Sequence, residues 1–345
     1  MEFLTEYGMF LLKTVTIVAV PVFLIGGAAL AILLKAREGT GRRLRIEPMG
    51  QRLAQYELQI RAQCEPRKVF KATLAAYKDQ EKARAKEGPE AVRAKRVFVL
   101  DFQGDIRATA VAALREEITA VLTCATQEDE VVVRLESPGG TVHGYGLGAA
   151  ELHRLKLRGI PLTVAVDKIA ASGGYLMACV ADKILAAPFA VIGSIGVIMQ
   201  LPNFHKLLRE NRIDFEQIAA GEYKRTLTVF GENTEKGRAK VREEVEETHR
   251  LFKEFVRDFR GEVSIEEVAT GEHWYGIAAL ERKLVDVIQT SDDYLFELSR
   301  GGADCLEIHY EERQPLSQRL FGLAAASLRR LGSRLAARLL APPAP

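Results

Sequence analysis

The chain has 345 residues, 48% of them hydrophobic and 27% charged, with a formal net charge of +2. That length and balance admit one large domain or two medium ones and exclude a chain too polar to bury a core. Basic clusters near residues 35–45, 80–96 and 319–338 are offset elsewhere, so no overall positive field marks nucleic acid as a partner.

The first element is apolar. Residues 14–34, TVTIVAVPVFLIGGAALAILL, carry no charge, and as a helix they are long enough to cross roughly 30 Å of hydrocarbon. The run exceeds the ~7–15 residue core of a cleaved signal peptide, which favours a membrane anchor within an N-terminal segment of residues 1–35. Lys35, Arg37, Arg42, Arg43 and Arg45 follow it, whereas only Lys13 and the amino terminus precede it. The positive-inside rule then leaves the main body in the cytoplasm. Residues 36–95 are polar and helix-prone and end in KDQEKARAKEGPEAVRAKR, a mixture that reads as a solvated, charged spacer.

From residue 96 strand and helix signals alternate. RVFVLDF (96–102) is a β-branched apolar run, and Val111, Leu114, Ile118, Val121 and Leu122 recur at helical spacing. EVVVRLES (130–137), a helix through Leu147, Leu152 and Leu155, and PLTVAVD (161–167) complete a β-α-β-α-β order. Continuous apolar strands between amphipathic helices predict an α/β domain over 96–300, with a mainly parallel sheet covered on both faces. Sites in such folds lie at the carboxyl ends of strands. Residues 234–260 read as one long helix with Val241, Val245, Leu251, Phe252, Phe255 and Phe259 on one face. The tail, 301–345, carries Leu316, Leu320, Leu323, Leu331 and Leu335 against Arg319, Arg330, Arg334 and Arg338, a basic amphipathic helix suited to an anionic membrane surface or to packing on the domain.

Cys64, Cys124, Cys179 and Cys305 form no CxxC pair, so neither a zinc site nor a disulfide framework is indicated and buried thiols are expected. Two glycine-rich turns follow expected strands: ESPGGTVHGYG (136–146) and IAASGGYLMACVADK (169–183). A strand running into Pro-Gly-Gly can offer backbone N–H groups to an oxyanion, although an isolated copy is an ordinary tight turn. Ser172 stands where a helix begins, so it is either an N-cap or a nucleophile helped by amide dipoles. Its base is open on spacing alone. His143 with Ser137 and Asp101 or Asp167 is one set; Lys224, beside Tyr223 and Leu227, is another, if apolar surroundings keep its amine neutral.

Taken together, SPGG (137–140), ASGGYLMA (171–178), GSIGV (193–197) and GEYK (221–224) resemble the signal peptide peptidase A group of serine peptidases, family S49, and within it the SohB branch. VLDFQGDI (99–106), LREEITAVL (114–122) and YKRTLTVFGENTEKGR (223–238) extend the likeness over nearly the whole chain. The resemblance implies Ser172 as nucleophile, Lys224 as general base, Gly139 and Gly140 at the oxyanion hole and Ser194 orienting the lysine. It also implies a ClpP/crotonase-like α/β superhelix behind an N-terminal transmembrane helix, assembly into homo-oligomeric rings or domes, and no metal or cofactor. Extended apolar peptides or membrane-protein segments are the expected substrates, cut by a single-pass inner-membrane protein. Related peptidases often face the outer side of that membrane, against the basic residues after the anchor. A crotonase-like acyl-CoA enzyme and a non-enzymatic membrane scaffold are the alternatives. One departure stands out: ALERKLVDVI (279–288) has Lys283 where the family commonly has glycine, with local stability at stake.

Overall fold

The computed structural model describes residues 43–86 and 95–311. It opens with β1 (Arg43–Pro48), α1 (Met49–Cys64) and α2 (Arg67–Lys86). The expected alternation follows as β2 (Arg96–Gln103), α3 (Val111–Leu122), β3 (Glu130–Glu136), α4 (Val142–Lys156) and β4 (Leu162–Val166). Next come β5 (Ile169–Ala171), α5 (Gly173–Ala178), β6 (Lys183–Ala186), β7 (Val191–Gly193), α6 (His205–Glu210) and α7 (Glu235–Phe259). The remainder is α8 (Ile265–Val268), β8 (His273–Tyr275), α9 (Gly276–Glu281), β9 (Val287–Ile288), α10 (Ser291–Arg300) and β10 (Asp304–Glu311).

Seven strands form one sheet in the order β1-β10-β2-β3-β4-β6-β9, parallel from β10 to β9. Val97, Val131, Val132, Val133, Leu162 and Val164 are fully buried, because α3 and α4 bring Leu114, Ile118, Leu152 and Leu155 into the same core. Strands hidden on both faces have no polar side to show, which is why they read as unbroken apolar runs. A smaller sheet, β5-β7-β8, pairs β5 with β7 in parallel and β7 with β8 antiparallel. This second sheet presents the site.

Several expectations need correction. Residues 36–95 are not all solvated spacer: β1 joins the sheet, and Met49 is buried against Val97, Val99, Val132, Leu295 and Cys305. The Arg52 guanidinium donates to both carboxylate oxygens of the buried Glu307, at 2.7 and 2.9 Å, tying α1 to β10. Edge pairing uses backbone groups that every residue carries, so the charged string RLRIEP can make a strand. Nor does the domain stop at 300, since β10 lies in register beside β2 from Asp304↔Arg96 to Ile308↔Leu100. Residues 45–310 form one compact unit.

The long helix is present as α7, capped by the Thr234 hydroxyl, which accepts the Gly237 N–H at 3.1 Å. Val241, Phe252 and Val256 face the core, but Leu251, expected beside them, is exposed. Of the thiols, Cys179 and Cys305 are buried, whereas Cys64 and Cys124 sit at polar helix ends and are exposed. Lys283 adopts the left-handed conformation, φ 58°, that glycine would take more easily. Its carbonyl accepts from the Arg260 guanidinium at 2.9 Å and the Leu284 N–H reaches back to the Ala279 carbonyl at 2.9 Å, so the turn is held despite the side chain. The membrane segment at 14–34 and the basic tail helix lie outside the described residues; among the described residues no helix is long and apolar enough to cross a membrane.

One buried group gives the fold a pH signature. Glu117 on α3 is almost wholly buried, and one carboxylate oxygen accepts the Tyr310 N–H at 2.8 Å while the other has no partner among the described residues. Burial, opposed by that hydrogen bond and reinforced by the charge of Asp101, pushes its carboxyl up to about 7. The folded state therefore holds a proton that the unfolded state releases between about pH 4.5 and 7, so Glu117 makes stability fall as pH rises through that window, by at most roughly 3 kcal/mol. Glu117→Gln is expected to lose this slope: compared with wild type by urea unfolding, it gains on it at pH 8 relative to pH 4.5.

Candidate active site

Ser172 sits at the carboxyl end of β5, immediately before α5. Its backbone is at φ 52°, ψ −119°, a conformation that costs a non-glycine residue of order 1–3 kcal/mol and persists only where surrounding bonds impose it. Those bonds are visible. The Ser172 N–H donates to the Gly193 carbonyl at 2.7 Å, continuing the Ala171↔Gly193 register between β5 and β7, and the Leu176 N–H donates to the Ser172 carbonyl at 3.0 Å. Although Ser172 occupies the N-cap position of α5, its side chain makes no capping hydrogen bond. The hydroxyl is thus held at a strand-to-helix elbow and left unused by the helix.

Ser194 repeats the arrangement one strand away. It follows β7 as Ser172 follows β5, has the same φ of 52°, and its N–H donates to the Glu272 carbonyl at 2.6 Å. Neighbouring strands lie about 4.8 Å apart, so the register sets the two serines side by side.

Against this pair lies the turn of SPGG. Gly139 has φ 88°, and a Cβ there would stand 2.8 Å from the Ser172 Cβ, 2.8 Å from the Gly173 nitrogen and 2.7 Å from the Ala171 carbonyl oxygen. Gly140 is pressed as closely against the Ile106 carbonyl. Their N–H groups differ. That of Gly139 donates to the Ser137 hydroxyl at 3.1 Å, whereas that of Gly140 has no partner among the described residues. Of the two, the Gly140 N–H is thus the one without an internal acceptor among the described residues.

The histidine alternative does not assemble. His143 is exposed, the Ser137 hydroxyl donates to Tyr145 Oη at 2.7 Å, Asp101 receives the Arg134 guanidinium at 2.5 and 2.7 Å, and Asp167 receives the N–H and hydroxyl of Ser291. Every partner it needed is engaged elsewhere.

Lys224 differs from its expected setting. Gly221, at φ 96°, turns the chain so that the Lys224 N–H donates to the Gly221 carbonyl at 3.1 Å, and the ammonium groups of Lys236 and Lys240 stand over the ring of Tyr223 at 5.9 and 5.7 Å. Lys224 is exposed rather than enclosed by Tyr223 and Leu227, and among the described residues no hydrogen bond or ion pair joins its amine to Ser172 or Ser194. The arm that carries it is fixed by Asn203, which donates to the Thr228 and Gly231 carbonyls at 2.8 and 3.0 Å, and by the rings of Phe204, Phe215 and Phe230. Yet that arm leaves Ile198 82% and Ile218 97% exposed.

Comparison with known proteins identifies the family. The family model "Peptidase family S49 N-terminal" matches residues 2–152, and "Peptidase family S49" matches residues 154–303. The chain belongs to peptidase family S49, in its SohB branch. It is 45% identical over 336 residues to "Probable protease SohB" of Haemophilus influenzae, covering 94% of this chain and 93% of that one. With "Probable protease SohB" of Buchnera aphidicola subsp. Acyrthosiphon pisum it shares 56% identity over 225 residues, 65% of this chain and 67% of that one. Among solved structures it is similar to a mutant of the 1510-N membrane-bound stomatin-specific protease, with TM-score 0.39 and 15% identity over 61% of this chain and 87% of that chain.

The tightness of the turn is testable. Gly139→Ala combines a left-handed alanine with a carbon in occupied space and is expected to destabilise the fold by roughly 2–4 kcal/mol in chemical denaturation. Gly146, inside α4, is the contrast, since a Cβ there would meet nothing within 4 Å outside its own helix backbone: Gly146→Ala should stabilise by up to about 1 kcal/mol.

Proposed function

We propose that this S49 peptidase is a membrane-anchored serine endopeptidase on a ClpP/crotonase-like superhelix, in which Ser172 attacks the scissile carbonyl and Lys224 takes its proton. Lys224 returns that proton to the leaving amine, and the backbone of Gly139 and Gly140, chiefly the Gly140 N–H, binds the oxyanion. Water then releases the acyl group, again with Lys224 as base, while Ser194 orients the amine. The observation that carries this reading is Ser172 itself: a strained serine at a strand end, its hydroxyl unused by the following helix and its Cβ packed against the glycine turn.

A lysine serves as a base only when its amine is kept from water, so exposure of Lys224 in the single chain requires a cover. A second copy of the chain, laid on the apolar arm with Ile198, Met199, Ile213 and Ile218, supplies one within a homo-oligomeric ring or dome. Extended apolar peptides and membrane-protein segments are the substrates in this reading. Residues 14–34 anchor the protein as a single pass in the inner membrane and hold the site near them.

Ser172→Ala is expected to abolish peptide hydrolysis with an unchanged circular dichroism spectrum, and retained turnover would refute the mechanism. Lys224→Ala is expected to be equally inert, and Lys224→Arg should not restore activity, because a guanidinium stays charged near pH 7. The side of the membrane follows from spheroplasts treated with external protease. Basic residues after the anchor favour protection of the catalytic domain, and its digestion assigns it to the outer face.

A further inference from the structure

Beneath the glycine turn runs a chain of hydrogen bonds that the proposed chemistry does not use. The Gly139 N–H donates to Ser137 Oγ at 3.1 Å, the Ser137 hydroxyl donates to Tyr145 Oη at 2.7 Å, and the Tyr145 hydroxyl donates to the Asp105 carbonyl at 2.8 Å. Ser137 and Tyr145 are both fully buried. One end of the chain can only donate and the other can only accept, so both hydroxyl protons have a single arrangement.

Tyr145 also touches the other half of the site. A Cβ on Gly173, the residue after Ser172, would stand 2.4 Å from Tyr145 Cγ and 2.7 Å from its Cδ2. At the far end, the hydroxyls of Ser137 and Tyr145 fill the space a side chain on Gly104 would need. The floor under them is fixed, because the Asp105 carboxylate accepts the N–H and hydroxyl of Thr109, each at 2.8 Å, and the Ile106 carbonyl accepts the Thr141 N–H at 2.8 Å.

We propose that Tyr145 is a positioning residue for catalysis: through Ser137 its hydroxyl sets the height of the Gly139–Gly140 turn, and through Gly173 its ring sets the seat of Ser172. This deepens the serine-peptidase reading and rests on it. The turn meets an oxyanion that exists only after attack, so loosening it affects the transition state more than bound substrate.

The test uses the full chain and an extended apolar fluorogenic peptide, with kcat expressed per folded molecule from circular dichroism. Tyr145→Phe keeps the ring on Gly173 and deletes only the hydroxyl; it is expected to lower kcat about tenfold with KM unchanged within twofold. Ser137→Ala cuts the same chain one bond nearer the turn and is expected to match it, and the double variant should be no slower than the poorer single one. If Tyr145→Phe does not fold, Ser137→Ala decides alone. Wild-type kcat in the folded variants, a change confined to KM, or losses that multiply in the double variant would each overturn the proposal. Ser172→Ala in the same assay separates the two levels. Turnover there defeats the nucleophile, whereas an inert Ser172→Ala beside fully active relay variants defeats only the role of Tyr145.

Discussion

Between residues 137–145 and residues 171–174 the three glycines 139, 173 and 174 leave no room for one additional carbon. Gly139 meets Ser172, Gly173 meets the Tyr145 ring, and Gly174 would place a Cβ 2.6 Å from the Ser137 carbonyl oxygen. Dispersion and steric repulsion at this seam fix the distance between the turn that ends β3 and the elbow that ends β5. The large parallel sheet sets the first, the small sheet sets the second, and the Ser137↔Ala170 bridge joins them. The strain at Ser172 is sustained by this packing together with its hydrogen bond to Gly193, since an isolated strand end would relax it.

Electrostatics divides the molecule in two. Two buried carboxylates are paired: Glu307 with Arg52 and Arg134, and Glu130 with Lys95 and with the hydroxyls of Thr163 and Tyr294, whereas Glu117 has no cation beside it among the described residues. Such pairs lock β10, α1 and α10 onto the sheet with directional bonds, and removal of one partner would strand a buried charge. The segment from 197 to 233 is built oppositely, with apolar side chains outside and few bonds inward. The two serines thus lie on the bonded scaffold and Lys224 on the exposed apolar arm.

Much of this was legible in the sequence. The valine runs of β2, β3 and β4 announced a two-sided parallel sheet because burial on both faces leaves no polar alternation. Ser172, Gly139, Gly140 and Ser194 were marked by their motifs, and the structure gathers them at two adjoining strand ends and the facing turn. What the sequence hid was relational. Tyr145 in HGYG looks like any aromatic facing a helix core, and only tertiary contact reveals that its hydroxyl reaches Asp105, forty residues away. β1 was hidden because its stability comes from backbone pairing and from Arg52 and Met49 rather than from an apolar pattern. The surroundings of Lys224 were misjudged for a further reason: neighbours in sequence, Tyr223 and Leu227, do not enclose it in space.

The hydrogen-bond chain under the turn bears on how protons move near the site. A wire that carries protons needs members able to exchange the roles of donor and acceptor, but an amide at one end and a carbonyl at the other forbid the reversal. Burial, only partly offset by the Ser137 hydrogen bond, raises the Tyr145 phenol above its ordinary range, which closes the remaining route through a phenolate. Tyr145 and Ser137 therefore form an insulated strut: they can bear on the placement of a reacting carbonyl while staying outside the traffic of charge that the reaction creates.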